Sequence, residues 1–452
     1  MTDVGEQISK KTPAAFSVVS LLMSAFSLLL PLCGFPSPAF AEDYSFDLSE
    51  VDKKPYHLGG YAEIRPILYG LDRDAALYQL RFYNRDEDHT LPEYNAAIQL
   101  EGGIEKGITK LFVRTNTAYQ DSYLGATSTT TVYEAFLSVK PSPSFTIDAG
   151  KKTLKWGKGY AWNPVAFVDR PKNPDDPDLN LEGFVVVSAD YIRSFRGPLL
   201  KTLSVTPVLV PVSEHVNDDL GTTTHLNTAG KIYLLLYDTD IDFLFLTGAS
   251  RPRRYGMDLS RNITTNLEVH GEFARINDFT RSFIAADGTT HQTIYEATNW
   301  LLGLRYLTEQ DTTYIFEYYR NGTGFTEQET RDYLTFVHNA YDSYRSTGNE
   351  ALLRKATAVT DKNYGRPNAG QAYLYLRVSQ KDPFDILYWT PAVTAIVNAE
   401  DRSYSLSPEI SYTGITNLEL RLRAMALAGD RLSEYGEKPY DYRVEMRARY
   451  YF

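Results

Sequence analysis

The chain is expected to fold as an all-β protein, a single transmembrane antiparallel β-barrel of about 18 strands (range 16–20) with long extracellular loops. Three observations carry that expectation: the amphipathic C-terminal strand, an apolar N-terminal stretch that ends at a cleavage pattern, and ten-residue segments of alternating polarity along the rest. In the last segment, Tyr442, Val444, Met446, Ala448, Tyr450 and Phe452 share one face, and Arg443, Glu445, Arg447, Arg449 and Tyr451 share the other. Side chains of a strand alternate between its faces. A strand that is apolar on one side, charged on the other and aromatic at its end suits a wall between lipid and water. Tyr450 and Phe452 are placed as the barrel-assembly signal, which implies the barrel-assembly machinery as a partner. An amphipathic edge strand of a soluble sheet would share the pattern.

At the N-terminus, Lys10 and Lys11 precede a mostly apolar run from Ala14 to Leu32, and Pro36 and Pro38 break it before Ala39-Phe40-Ala41. Residues 1–41 therefore read as a secretory signal peptide, with 42–55 a periplasmic segment or weak first strand and 56–452 the barrel. The single cysteine, Cys33, precedes the cleavage point. The mature chain is then expected to carry no disulfide, thiol chemistry or cysteine metal site. The aromatic load, with 34 Tyr, 22 Phe and 4 Trp, suits interfacial girdles. A net charge of −11 argues against nucleic acid as a partner. The expected surroundings are the lipid and lipopolysaccharide of the outer membrane of a Gram-negative bacterium.

Along the chain, Leu267, Val269, Gly271 and Phe273 alternate with Glu268, His270 and Glu272. Ala372, Leu374, Leu376 and Val378 alternate with Tyr373, Tyr375, Arg377 and Ser379. Leu418, Leu420, Leu422, Ala424 and Ala426 alternate with Glu419, Arg421, Arg423 and Met425. Ala76, Tyr78, Leu80 and Phe82, interleaved with Gln79 and Arg81, read as another strand. The tally is about nineteen, and barrels of one chain usually have an even count, so one segment is miscounted. The error is expected near the N-terminus, either a missed strand at Tyr44–Val51 or one weak segment wrongly included. From the third segment on, short connections such as 103–107 and 238–240 are expected to alternate without exception with long ones, among them 155–182, 212–226, 276–293, 321–370 and 429–440.

Loop 321–370 is expected to be partly helical. Thr326 and Glu329 fit a capping box, and Tyr333, Phe336, Val337, Ala340, Tyr341 and Tyr344 recur at helical spacing, with a second helix over 350–356. It either closes over the pore or caps it without gating.

The inward faces are expected to line a pore with Glu63, Arg65, Arg81, Arg377, Arg421, Arg423, Arg443, Arg447, Arg449, Glu268, His270 and Glu272. Fixed guanidinium groups bind carboxylate and phosphate well, so this wall reads as a track for small polar or anionic solutes. The alternative is that the arginines pair with Glu63, Glu419 and Glu445 and merely fill the lumen. No hydrolase, metalloprotease or phosphate-loop motif is found, so no catalytic residue, metal or cofactor is assigned. His270 between Glu268 and Glu272 reads as a hydrated lumen residue, and Asp175, Asp176 and Asp178 match no calcium motif.

Residues 131–164 resemble alginate-export-type outer-membrane porins. Val132-Tyr-Glu-Ala-Phe-Leu137, then Asp148-Ala-Gly-Lys-Lys-Thr-Leu-Lys-Trp-Gly157 and Asn163-Pro164, follow that family's pattern, with Glu134, Trp156 and Gly157 matching and Lys152 where Gln is usual. The resemblance implies a monomeric channel with a wide, charged lumen, and the residues themselves read as a porin-like channel for passive passage and not as an enzyme. A non-conducting scaffold or surface-binding barrel working with a partner is the alternative.

Overall fold

Eighteen strands hydrogen-bond in one antiparallel sheet, and the sheet closes on itself. The structure, a computed structural model, describes residues 54–85 and 87–452. β1 (Tyr56–Leu71) pairs with β2 (Thr90–Lys106) on one side and with β18 (Tyr440–Tyr451) on the other, so the ring has no edge. Between them run β3 (Thr109–Ser122), β4 (Gly125–Ser142), β5 (Phe145–Lys152), β6 (Phe184–Ser194), β7 (Leu200–Val212), β8 (His225–Leu236) and β9 (Thr239–Thr247). Then follow β10 (Arg254–Asn262), β11 (Leu267–Ile284), β12 (Thr290–Leu307), β13 (Thr312–Asn321), β14 (Ala372–Gln380), β15 (Trp389–Asn398), β16 (Tyr404–Ile415) and β17 (Leu418–Ala428). Each strand pairs with its neighbours in sequence. The readings for 1–41, Cys33 and Tyr44–Val51 lie outside the described residues.

Polarity is inverted relative to a soluble protein. Ile98, Leu100, Phe243, Phe245, Leu302, Val393, Val444 and Met446 are exposed, whereas Glu134, Asp242, His270, Glu272, Glu317, Arg421 and Arg447 are buried. Closing the sheet satisfies every ladder internally, which lets its apolar face stand against lipid. At the seam the C-terminus zips onto β1: Phe452 N–H donates to Gly60 O at 3.1 Å, and Gly60 N–H donates to Phe452 O at 3.0 Å. The Phe452 ring is exposed, and Tyr450 stands opposite Ala62.

The extra segment in the tally is 76–82, which is helix α1 (Ala76–Phe82) and not a strand. The alternation is real, but it arises because Ala76, Leu80 and Tyr78, Phe82 pack on two sides of a short helix within the β1–β2 loop. Arg81 is accordingly no pore-lining residue; it is exposed, with its guanidinium over the Tyr123 ring. Strict alternation of short and long connections also fails. The β3–β4 connection is only Tyr123-Leu124, and β15–β16 is joined by 399–403, both at the long-loop end. β11 and β12 extend through much of 276–293, leaving 285–289 as the turn.

Loop 322–371 carries α2 (Glu327–Thr347) and α3 (Ala351–Val359). The capping box is present in full: Thr326 Oγ1 accepts from Glu329 N–H at 3.2 Å, and Glu329 Oε2 accepts from Thr326 N–H at 2.8 Å. Tyr333, Phe336, Val337 and Ala340 are buried in a cluster with Ala76 and Leu80 beside β1, and with Ile284 at the tip of β11. β1 and β11 stand on opposite sides of the ring, so these loops meet over the mouth as a roof. His338 joins three of them, with Nδ1 2.8 Å from Gln79 Oε1 and Nε2 3.2 Å from Glu437, which lies in loop 429–439.

Glu437 sits below the ordinary carboxylate value. Burial pushes its carboxyl up, but the His338 side chain and the N–H groups of Ala76 and Leu432 outweigh that. A carboxyl lowered by folding contributes fully above its unfolded value and loses that contribution as pH falls through the lowered one. Amide protection in α2 is therefore expected to be constant at neutral pH and to drop once pH falls below the ordinary glutamate value of 4.5. Protection that stays flat through that range would show that Glu437 does not hold the roof.

Candidate functional site: an inward loop across the lumen

β5 is short because the chain leaves the wall at Thr153 and does not return to it until Phe184. The 30-odd-residue excursion between them does not extend into solvent. It crosses the lumen and is bound at several points. Glu134 starts it, accepting from Thr153 N–H at 3.1 Å and from Arg114 Nη1 at 2.7 Å. Asp169 folds the loop on itself, accepting from Leu154 N–H at 2.7 Å and Trp156 N–H at 2.8 Å.

Two carboxylates on the far wall hold the turn at 158–165. Glu272 on β11 accepts from the N–H groups of Lys158 and Gly159, both at 2.6 Å, and of Val165 at 3.2 Å. Glu317 on β13 accepts from Ala161 N–H at 2.9 Å and from Tyr160 N–H, and its Oε1 lies 2.9 Å from His270 Nε2. Gly157 is required here. Its φ is +98°, and an added Cβ would stand 2.8 Å from Glu272 Oε1. Gly159 is as confined, since a Cβ would stand 2.2 Å from Trp162 O.

Apolar contacts seal the loop to the wall. Trp156, Val165, Phe167 and Val168 pack on the inner faces of β6–β9 through Val186, Val208, Val210, Leu244 and Leu246. Ala161 and Trp162 pack on Leu301, Tyr319, Tyr373 and Tyr375. Burying side chains of this size contributes ~1.5–3 kcal/mol each, so the excursion is a fixed part of the lumen.

Beyond the turn, the loop reaches the arginine wall. Arg421 Nη2 lies 3.1 Å from Asp176 and 3.4 Å from Glu445; Arg423 donates to Glu409 at 2.6 Å and to the Asp175 carbonyl at 2.6 Å. Arg377 donates to Glu409 at 2.6 Å, Arg447 to Glu419 at 2.5 Å and Arg449 to Glu63 at 2.6 Å. Arg443 is 3.9 Å from Asp175, and Arg65 is 4.0 Å from Glu63. The guanidinium groups of Arg377, Arg421, Arg423, Arg443, Arg447 and Arg449 lie on one wall, where carboxylates engage them. Asp175 and Asp176 act there as anchors of the loop. No group of three or more metal-ligating side chains with metal-site geometry occurs among the described residues.

Glu268 accepts from Ser260 Oγ at 2.9 Å, and His270 and Glu272 belong to the loop's anchor. Sequence reasoning missed Glu317, Glu409, Asp169, Asp242 and Asp258. Glu317 was detectable as a lone acid between Ile315 and Tyr319 on one face of β13. Lys158 reaches from the loop to Asp242 at 3.1 Å and Asp258 at 4.0 Å, both on the wall. The lumen stays open along β4–β8, where a cavity of roughly 530 Å³ lies between those strands and Leu154, Trp156 and Lys158 of the loop.

No family model matches the chain, and no curated protein matches it. Among solved structures, the chain is similar to a triple mutant of the Rhodopseudomonas blastica porin, with 9% identity and a TM-score of 0.43 over 88% of this chain and 100% of that one. It is also similar to OccK5 (OpdH) of Pseudomonas aeruginosa, with 13% identity and a TM-score of 0.47 over 87% of this chain and 98% of that one. These likenesses are too distant to assign a family or a solute.

Proposed function

We propose that the protein is an outer-membrane, porin-like channel through which polar solutes pass passively, and that the inward loop 153–183 sets its bore. One observation carries the reading: a loop fixed to both walls of a closed, polar-lined barrel leaves a gap lined by polar side chains along β4–β8. A barrel meant only as a membrane anchor has no need of a polar interior with a cavity left in it. The resemblance of residues 131–164 to alginate-export-type porins supports the same class, because Glu134, Trp156 and Gly157 are the residues that start and seat the loop. The arginines are engaged by Glu63, Glu409, Glu419, Glu445 and Asp176, so the reading carried forward is for polar solutes, with anions as one case. The chemistry is passage and not catalysis.

The roof favours a second reading, in which the barrel rests closed and works with a partner that displaces α1–α3. One experiment addresses the route. Thr206 lines the gap on β7, whereas Thr394 is on β15 beside Arg377. In planar bilayers, a charged thiol reagent is expected to cut the current of a Thr206→Cys barrel and to leave that of Thr394→Cys nearly unchanged. The reverse pattern would place the passage on the arginine side and refute the route.

A further inference from the structure

We infer that the gap along β4–β8 is a binding site for a small, neutral, polyhydroxylated solute of about disaccharide size, since its roughly 530 Å³ falls within the ~300–1,000 Å³ of ligand sites. The inference deepens the channel reading and rests on it for the route by which solute arrives.

The strand register builds the wall in rows. Asp148 stands between Ser138 on β4 and Ser188 on β6. Asp190 stands opposite Thr146, and Ser204 stands between Ile192 and Tyr233. Hydroxyls both donate and accept, so such rows offer alternating partners to a chain of solute O–H groups.

Charges on this wall are matched locally. Lys152 pairs with Asp148, while Lys158 lies 3.1 Å and Lys231 3.9 Å from Asp242. Asp190 accepts from Ser204 Oγ at 2.6 Å and Thr206 Oγ1 at 2.7 Å. An anionic solute would have to break one of the lysine pairings, whereas an uncharged one rich in donors need not. One acceptor is left over: Asp148 is 8% exposed, and its Oδ1 has no protein partner, on a residue that lines the gap. A buried carboxylate oxygen without a partner is costly, and a turn of the Asp148 side chain toward the gap, from which Oδ1 is now closed off, would let a solute hydroxyl relieve it.

The test uses maltose as the probe, with glucuronate and spermidine as charged counterparts, on the refolded full barrel. Maltose is expected to interrupt the ion current in bilayers and to bind in calorimetry with a Kd on the order of 1 mM. Ser188→Leu, which fills the gap, is expected to abolish binding, and the milder Thr206→Val to weaken it about tenfold. Heat-modifiable migration on gels confirms that both variants are folded. A conducting barrel that maltose neither enters nor binds overturns the site and leaves the channel standing. A silent barrel that still binds maltose, with the loss in Ser188→Leu, supports the site and removes the channel. Tighter binding of glucuronate or spermidine than of maltose overturns the solute class, and a barrel that neither conducts nor binds overturns both readings.

Discussion

Replacing Glu272 and Glu317 together by alanine is expected to raise single-channel conductance several-fold and to admit larger solutes. These carboxylates accept from the N–H groups of Lys158, Gly159, Tyr160, Ala161 and Val165, and both are almost fully buried. With them gone, each orphaned N–H that stays buried costs about 1–3 kcal/mol, together of the same order as the packing of the turn. The turn is therefore expected to leave the wall and hydrate, which widens the lumen. The strands are held by their own ladders, so the barrel should still migrate as a folded species, with lower thermal stability. Conductance equal to that of the native barrel in a folded double variant would mean that the loop does not set the bore. The single variants separate the anchors: Glu317→Ala also removes the partner of His270, so it is expected to be the less stable of the two.

Excising residues 326–368 in favour of a short flexible linker is expected to lengthen open times and to suppress spontaneous closures. The cut is permitted because the flanking backbone is already joined, with Phe325 N–H donating to Ala369 O at 2.8 Å. The excision removes α2 and α3 and, with them, His338 and the aromatic contact of Tyr344 with Tyr83, at 5.0 Å between ring centroids. α1 then loses its cover, and loop 429–439 loses the His338 contact to Glu437. Gating records that match the native barrel would mean that the roof is a cap with no part in closure. Hydrogen exchange in the strands should be unchanged either way except at the tip of β11, where Arg281 loses Glu329, because the roof otherwise packs on loops and not on the wall below.

Much of the wall was legible because lipid and water each impose one face on a strand. β11, β14, β17 and β18 alternate cleanly, and their inward residues stand where period two puts them. The reading failed where that rule has a competitor. At 76–82 a seven-residue helix with two packed sides imitates a strand, and the false strand carried Arg81 into the lumen. In β7 and β9, Val208, Val210, Val212, Leu244 and Leu246 are apolar although they face inward, because they meet the loop and not water. Such a stretch looks uniformly apolar in sequence, and only the three-dimensional course of 153–183 explains it. The anchoring is the other part that periodicity could not supply. Glu272 and Glu317 mark themselves as acids on an inward face, but their partners are backbone N–H groups more than a hundred residues away. The charge pairing of the arginine wall was open for the same reason, since Asp175 and Asp176 come from a loop whose destination period two does not encode.

The measurement that tests the account most directly is the single-channel conductance of the refolded native barrel in a planar bilayer, run beside the barrel lacking 326–368. A narrow, stable pore in the native protein, with longer open times in the excised one, is the expected result. A folded barrel that stays silent in both forms would contradict the claim that a hydrated path runs beside the inward loop.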